Sequence, residues 1–570
     1  MGQQKLRSQE WWGKSDEYYD FARRAWLRSE GFGHEVFDGR PVIGICNSWS
    51  ELNNCNLHLR TVAEAVKRGV WAAGGLPLEF PTISLGEMFM RPTAMLFRNL
   101  MAMDVEESIR ANPIDGVVLL CGCDKTTPAQ LMGCASADIP AIVVPGGPML
   151  SGQWRDRRLG AGTDGRKLFD LYRTGKLTEE ELQEVEGCIA RSAGHCSVMG
   201  TASTMTSLAE ALGMTLTGCA NIPAVDSRRL AMAEQSGRRI VEMVREDLRP
   251  SAVMTKDAFE NAVTVDMAIG GSTNAVVHLL AIAGRLGVEL TLDDFDRISR
   301  RTPYIVDVKP SGQFLMEDLF YAGGIPAIMR EVLPLLCGEA LTVTGRSVRD
   351  NVGSAECYRR DVIRPIANPL YAEGGTIVLR GNLAPDGAVL KQTAASPRLL
   401  KHRGRAHVFE NRQQMSEQID REDLPVTRDS VLVMKNGGPK GAPGFPEWGQ
   451  IPMPRVLLQQ GVDDVVRISD ARMSGTSFGT VVLHVAPESA IGGPLAFVKT
   501  GDEIELDAEA RHLTLCIDER ELNRRAAEFV PPRPVYERGY GRLFLEHVMQ
   551  ANFGCDFDFL RHGEALKNTD

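Results

Sequence analysis

Apolar and polar positions along the first two-thirds of the chain switch between two periods. Pro41-Val-Ile-Gly-Ile-Cys46 is a short apolar run of the kind that buried strands show. Over residues 57–73 the apolar side chains Leu59, Val62, Val66 and Val70 recur at helical spacing and stop at Gly74-Gly75. The same reading predicts a helix over 95–109 and strands over 116–120 and 141–144. Strands separated by helices predict an α/β domain: a parallel sheet covered by helices on both faces. Helical patterns dominate residues 202–287, including 228–244 and 274–286. After residue 372 the period changes again. Residues 376–379, 431–434, 465–468, 481–484 and 503–506 are short and strand-like, with Gly- and Pro-rich turns between them. That spacing predicts a C-terminal β-barrel-like domain. The expected division is 1–375 and 376–570, with a frayed polar end over 561–570.

Composition narrows the classes of function. A chain of 570 residues is too long for one ordinary core, in keeping with two domains. The net charge of −10 argues against nucleic acid or an anionic membrane surface as partner. The longest apolar stretch, 275–290, is interrupted by His278 and Arg285, so no membrane span is expected. The first residues lack the apolar core of a signal peptide, which points to the cytoplasm. There the 12 cysteines read as buried thiols or metal ligands rather than as a disulfide framework.

The chemistry concentrates in Asp115-Gly-Val-Val-Leu-Leu-Cys-Gly-Cys123-Asp124-Lys125-Thr126-Thr127-Pro128. An apolar strand ends in a thiol, a carboxylate, an amine and two hydroxyls just where a helix begins, the place where parallel-sheet enzymes put their sites. Two more cysteines share such polar, helix-leading surroundings: Cys55 in Ser50-Glu-Leu-Asn-Asn-Cys-Asn-Leu-His58, and Cys196 in Ser192-Ala-Gly-His-Cys-Ser-Val-Met-Gly200. A helix N-terminus favours thiolate over thiol. Their separations match no zinc-finger or ferredoxin spacing, and each alone reads equally as a buried thiol, as do the other nine. Hard oxygen ligands suited to Mg²⁺ come from Glu87, in Ser84-Leu-Gly-Glu-Met-Phe-Met-Arg-Pro-Thr93, and from Glu447, which closes the loop Gly437-Gly-Pro-Lys-Gly-Ala-Pro-Gly-Phe-Pro. By composition alone both are also ordinary surface acids. In Val466-Arg-Ile-Ser-Asp-Ala-Arg-Met-Ser474-Gly-Thr-Ser-Phe-Gly a strand runs into a Ser-Gly-Thr turn that can hold a hydroxyl beside a metal, or simply turn the chain.

Taken together, Cys-Asp-Lys-Thr-Thr-Pro at 123–128, Gly146-Gly-Pro-Met149, Gly200-Thr-Ala-Ser-Thr-Met205, Gly270-Gly-Ser-Thr-Asn274, Arg380-Gly-Asn-Leu-Ala-Pro385, Gly437-Gly-Pro-Lys-Gly441 and Ser469-Asp-Ala-Arg-Met-Ser-Gly475 resemble the dihydroxy-acid and sugar-acid dehydratase family. The wording is most similar to its aldonate branch, in particular to enzymes acting on pentonates. The resemblance implies a hydro-lyase that converts an aldonate such as L-arabinonate or D-xylonate to its 2-keto-3-deoxy acid. It implies a [2Fe–2S] cluster on Cys55, Cys123 and Cys196, whose three protein ligands leave one iron open as a Lewis acid. It further implies Mg²⁺ at Glu87, Asp124, Lys125 and Glu447, with Lys125 carbamylated, and Ser474 as the base. A homodimer or homotetramer is the assembly it implies. His195, Ser197-Val198 and Asn53-Asn54 depart from the wording of L-arabinonate enzymes and bear on the choice of substrate.

Other readings stay open on the residues alone. A branched 2,3-dihydroxy acid shares the reacting diol. Lys125 at a strand end could form a Schiff base in a lyase. The three cysteines could serve an iron–sulfur sensor without catalysis. Neither a Walker loop nor a Gly-x-Gly-x-x-Gly fingerprint follows a strand, so nucleotide binding has no motif behind it.

Overall fold

The computed structural model describes residues 6–13 and 16–562. Four parallel strands form the first sheet: β1 (Val42–Asn47), β2 (Leu76–Pro81), β3 (Gly116–Cys121) and β4 (Ala141–Pro145), in the order β2-β1-β3-β4. Every residue of β1, β3 and β4 is buried, which is why these strands read as unbroken apolar runs. β2 escaped the pattern because Leu-Pro-Leu-Glu-Phe-Pro holds two prolines, tolerable only on an edge strand, and β2 is the edge. The Leu59–Ala72 and Ser227–Glu246 helices pack together over β1–β4. The Thr126–Ala137 helix packs against β3 and pairs with Arg98–Ala111. From β1 the chain crosses to β2 on one side, whereas from β3 it crosses to β4 on the other. Right-handed crossovers in opposite directions set the two helix pairs on opposite faces.

Three further helices, Thr201–Ala211, Lys256–Ile269 and Asn274–Arg285, are buried along nearly their whole length. Among the described residues no helix is long and apolar enough to cross a membrane. A two-stranded ribbon, β5 (Gly152–Trp154) and β6 (Arg157–Leu159), lies between the sheet and these helices in the chain.

The strand-rich region closes into an eight-stranded barrel. Its strands are β7 (Ile377–Gly381), β8 (Ala384–Leu390), β9 (Lys401–Phe409), β10 (Val431–Met434), β11 (Val466–Ser469), β12 (Val481–Ala486), β13 (Glu503–Asp507) and β14 (His512–Leu515). They run β10-β11-β12-β8-β7-β14-β13-β9 around the barrel. Inward residues such as Ile377, Leu379, Leu390, Val431, Ile468, Val482, Ile504 and Leu513 fill its interior. β8 and β9 had not been expected, since Pro385-Asp386-Gly387 reads as a turn and Lys401-His-Arg-Gly-Arg is largely polar.

After the barrel the chain returns to the α/β part. Phe544, Val548, Ala551 and Phe557 pack with Met95, Leu96, Val277 and Phe445. Arg98 Nη2 donates to the carbonyls of Gly554 and Cys555, both at 2.9 Å, and Arg285 Nε meets Asp556 Oδ2 at 2.6 Å. The expected fraying over 561–570 falls, apart from Arg561 and His562, outside the described residues.

Candidate active site

The order of the sheet reverses between β1 and β3, where Asn47 pairs with Leu120. Ligand sites of open α/β sheets lie beyond the carboxyl ends of strands at such a switch point. Both loops that leave this point carry singled-out residues: 48–58 holds Cys55, and 122–125 holds Cys123, Asp124 and Lys125.

Local chemistry shapes the second loop. Thr126 Oγ1 accepts from Cys123 N at 2.9 Å and Gly122 N at 3.3 Å, and Thr127 Oγ1 donates to Cys123 O at 3.2 Å. A Cβ on Gly122 would lie 2.8 Å from Cys55 O, so only glycine lets the two cysteine loops close on each other. The loop that carries Cys196 is tied by backbone bonds to the first loop, Gly194 N to Asn54 O at 3.2 Å, and to the segment after β4, His195 N to Gly147 O at 3.1 Å. Cys55, Cys123 and Cys196 thus arrive in one place. Cys55 and Cys123 share a side-chain hydrogen bond, and Cys196 feels the charge of Cys123 and Asp124.

Their surroundings outweigh the helix termini at Cys55 and Cys196. The bond with Cys123, then burial, drives the Cys55 thiol well above its ordinary value. Burial pushes Cys196 up to about 12, with Cys123 and Asp124 adding to it. Cys55 and Cys196 therefore remain thiols unless a cation neutralises them, and with Cys123 and the Asp124 carboxylate beside them they offer the donor chemistry of a metal-bound thiolate set. His195 is fully buried with Nε2 unpartnered, and burial lowers it to about 3, so it stays neutral beside Cys196.

The carboxylates converge on Lys125. Its Nζ lies 2.5 Å from Asp124 Oδ2, 3.3 Å from Glu87 Oε2 and 3.9 Å from Glu447 Oε1, with the lysine side chain at zero exposure. Burial opposes the ammonium, yet Asp124 and Glu87 raise Lys125 above its ordinary value. Burial likewise opposes ionisation of Asp124, but Lys125 holds that carboxyl low. Glu447 is raised by burial, against the pull of Lys125. Among the described residues no three His, Cys, Asp or Glu side chains are gathered to hold an ion by themselves. The cation at the centre of this carboxylate cage is the ammonium. Three hard oxygen donors around one positive charge fit a divalent ion such as Mg²⁺ in type.

Three residues outside the predicted set complete the cage. Arg472, fully buried, donates through Nη1 to Glu447 Oε1 at 3.1 Å and through Nε to Phe445 O at 2.6 Å. Asn274 Nδ2 donates to Glu447 Oε1 at 2.9 Å and to Thr201 Oγ1 at 3.0 Å. Thr93 Oγ1 donates to Glu87 Oε1 at 2.6 Å. Both Arg472 and Asn274 sit inside motifs already noted for their wording. The available signal was a charged side chain between Ala471 and Met473, since a buried arginine needs acceptors.

Ser474 follows Arg472 on the turn after β11. Its Oγ meets Thr476 Oγ1 at 3.0 Å and accepts from Thr476 N at 3.4 Å. Among the described residues no hydrogen bond joins it to Lys125 or to the cage carboxylates. Its placement comes from Gly475, where a Cβ would lie 2.5 Å from Thr201 N and 2.7 Å from Ser272 Oγ. The barrel turn is therefore pressed onto the start of the Thr201–Ala211 helix.

Comparison with known proteins settles the class. Residues 40–351 match Dihydroxy-acid/6-phosphogluconate dehydratase N-terminal, and residues 361–555 match Dihydroxy-acid/6-phosphogluconate dehydratase C-terminal. The chain belongs to the dihydroxy-acid/6-phosphogluconate dehydratase family. It is a dehydratase, and so a hydro-lyase. It is similar to an L-arabinonate dehydratase of Rhizobium leguminosarum bv. trifolii (strain WSM2304), 54% identical over 98% of this chain and 96% of that one. An L-arabonate dehydratase of Azospirillum brasilense is 55% identical over 98% and 97% of the two chains. A 6-deoxy-6-sulfo-D-gluconate dehydratase of Pseudomonas putida is 51% identical over 99% and 98%. Across this dehydratase the family match spans both the thiol-bearing sheet and the barrel that supplies Glu447 and Ser474.

Proposed function

We propose that this dehydratase converts an aldonate, a pentonate such as L-arabinonate or D-xylonate, to its 2-keto-3-deoxy acid. In this reading Cys55, Cys123 and Cys196 hold a [2Fe–2S] cluster, and Glu87, Asp124, a carbamylated Lys125 and Glu447 hold Mg²⁺. The observation that carries it is the junction at 123–125: one strand end points a thiol into a trio of thiols and the next two side chains into a cage of carboxylates. The names of the L-arabinonate and L-arabonate relatives support the sugar acid as substrate. When bound, Mg²⁺ would supply charge stabilisation at the substrate carboxylate and C2 hydroxyl, and the open iron Lewis acidity at the C3 hydroxyl.

The chain's own residues then have defined tasks. Ser474 Oγ, ionised, takes the C2 proton and passes it to the departing C3 hydroxyl, which leaves as water, and the enol tautomerises to the keto acid. Thr476 Oγ1, 3.0 Å away, orients that hydroxyl. No imidazole bonds Ser474 among the described residues, so its ionised form depends on nearby positive charge. Arg472 and Asn274 hold Glu447 Oε1, the oxygen that lies 3.9 Å from Lys125 Nζ, in place. Carbamylation would turn Lys125 from a cation that competes for Asp124 into an anionic ligand.

The Schiff-base alternative fares poorly on the same geometry. It would use Lys125 alone and leave the three cysteines, Glu87 and Glu447 without a task. Free thiols at all 12 cysteines accord with a reducing, cytoplasmic setting. For assembly we favour a homodimer or homotetramer, because the loops of Cys55 and Glu87 leave Leu52 78%, Met88 76% and Phe89 69% exposed, apolar surface that a second copy would cover. The test is an anaerobic assay of reconstituted enzyme with L-arabinonate and D-xylonate. Keto acid should form only with Mg²⁺ present, and borohydride should leave the activity intact. Borohydride inactivation in the presence of keto acid, with Lys125 reductively alkylated, would overturn it.

A further inference from the structure

Away from the cage, two opposite charges are buried without a partner. Asp266, on the Lys256–Ile269 helix, and Lys391, just past β8, are each 1% exposed. Among the described residues neither Asp266 carboxylate oxygen nor Lys391 Nζ has a hydrogen-bond partner. Buried polar groups are almost always bonded, and a buried charge left alone is strongly disfavoured. Burial pushes Asp266 up to about 7 and Lys391 down to about 8, and the charge that resists each shift is the other residue.

The two flank a turn that reaches the active site. A Cβ on Gly271 would lie 1.9 Å from Asp266 Oδ1. One on Gly270 would lie 2.7 Å from the Tyr304 ring and 3.4 Å from Thr393 Oγ1, two residues beyond Lys391. Tyr304 Oη is itself buried and unpartnered. The same turn continues into Ser272, 2.8 Å from Thr201 Oγ1, and Asn274, 2.9 Å from Glu447 Oε1.

We propose that Asp266 and Lys391 are joined through bound water and act as positioning residues, clamping the 270–274 turn between helix and barrel so that Asn274 holds Glu447 at the cage. The inference rests on the reading above that Glu447 serves a divalent cation. A buried carboxylate and a buried ammonium, each without a direct bond, offer a water the several partners it needs. As the pair is neutral overall, loss of one member strands the other, and loss of both does not.

The experiment uses holoenzyme and compares the parent with Asp266→Asn, Lys391→Met and the double variant. Mn²⁺ in place of Mg²⁺ is titrated by the electron paramagnetic resonance of the free ion, alongside kcat and KM for L-arabinonate. Each single variant should bind Mn²⁺ about tenfold more weakly and lose about tenfold in kcat with KM within about twofold. The double variant should return to within about threefold of the parent. Single variants that lose thermal stability but keep Mn²⁺ affinity and kcat would overturn the inference. So would a double variant as impaired as the singles, the comparison that decides if a single variant does not fold. A parent that binds no Mn²⁺ would instead remove the cation assignment, and this inference with it.

Discussion

At Lys125 three acids and one amine share a largely buried space, and charge and burial together set the state of Lys125, Asp124 and Glu447. The ammonium is stabilised by Asp124 and Glu87 against its own burial, which makes the unmodified lysine a strong competitor for any metal ion. Ser474 stands apart, bonded to Thr476 and pressed into place by Gly475. Ser474→Ala should leave the fold and the bound cofactors unchanged and lower kcat by about 10²–10⁴, the range of a lost general base, in steady-state assays. Retention of near-parent turnover would reassign the base. Gly475→Ala should be worse for structure than for composition, because the new methyl would sit 2.5 Å from the backbone nitrogen of Thr201. The expected result is a cost of roughly 1–3 kcal/mol in denaturant unfolding together with loss of turnover. Cys123, Asp124 and Lys125 were legible in the sequence because no packing role explains them together. Arg472 and Asn274 were not assigned, since their partner Glu447 lies 25 and 173 residues away in the chain and only folding brings them together.

Elements with both faces buried announced themselves, and elements at edges did not. β1, β3 and β4 are continuous apolar runs, whereas β2 carries two prolines at the sheet edge and β9 is polar over its first half. The barrel followed from the spacing of short strands, but its closure depends on β8 and β14, which contain turn-like or short segments. Nothing in the pattern foretold the return of the C-terminal segment to the α/β part. That return is anchored where the Asn274–Arg285 helix ends: Arg285 meets Asp556 at 2.6 Å and Glu106 at 3.1 Å, all three nearly inaccessible. Removing one member of such a buried pair leaves an uncompensated charge. Asp556→Ala should therefore lower unfolding free energy by about 3–5 kcal/mol and open the segment to limited proteolysis. An unchanged denaturation midpoint would show that the apolar contacts of Phe544 and Phe557 hold the segment alone.

Across the whole molecule, buried neutral histidines tie stability to pH. Burial lowers His484 to about 3, with Arg472 adding to the shift, and His278 moves in the same direction for the same first cause. The unfolded chain takes up a proton on each near the ordinary value of 6.5, while the folded protein refuses it. Between pH 6.5 and about 3 the unfolded state thus binds more protons, and stability falls as pH falls. Asp266 and Glu488, raised by burial to about 7, act oppositely: their contribution is present below the ordinary carboxylate value and lost as pH rises through 7. A single variant isolates one term. His484 has a φ of 56°, which asparagine tolerates, so His484→Asn should flatten the acid limb by about 1.4 kcal/mol per pH unit in denaturant titrations. Parallel limbs would show that His484 is already protonated in the folded protein.

The junction of thiols and carboxylates spans both halves of the chain, so the reaction it performs is best judged on the intact, reconstituted enzyme. The decisive measurement is the anaerobic initial rate of keto-acid formation from L-arabinonate and D-xylonate, set against a branched 2,3-dihydroxy acid in the same preparation. Sugar-acid dehydration predicts a Mg²⁺-dependent 2-keto-3-deoxy acid from a pentonate, formed faster than any product of the branched acid and slowed at least about a hundredfold in Ser474→Ala. Preferential turnover of the branched acid, or no keto acid from any aldonate with cluster and Mg²⁺ in place, would contradict it.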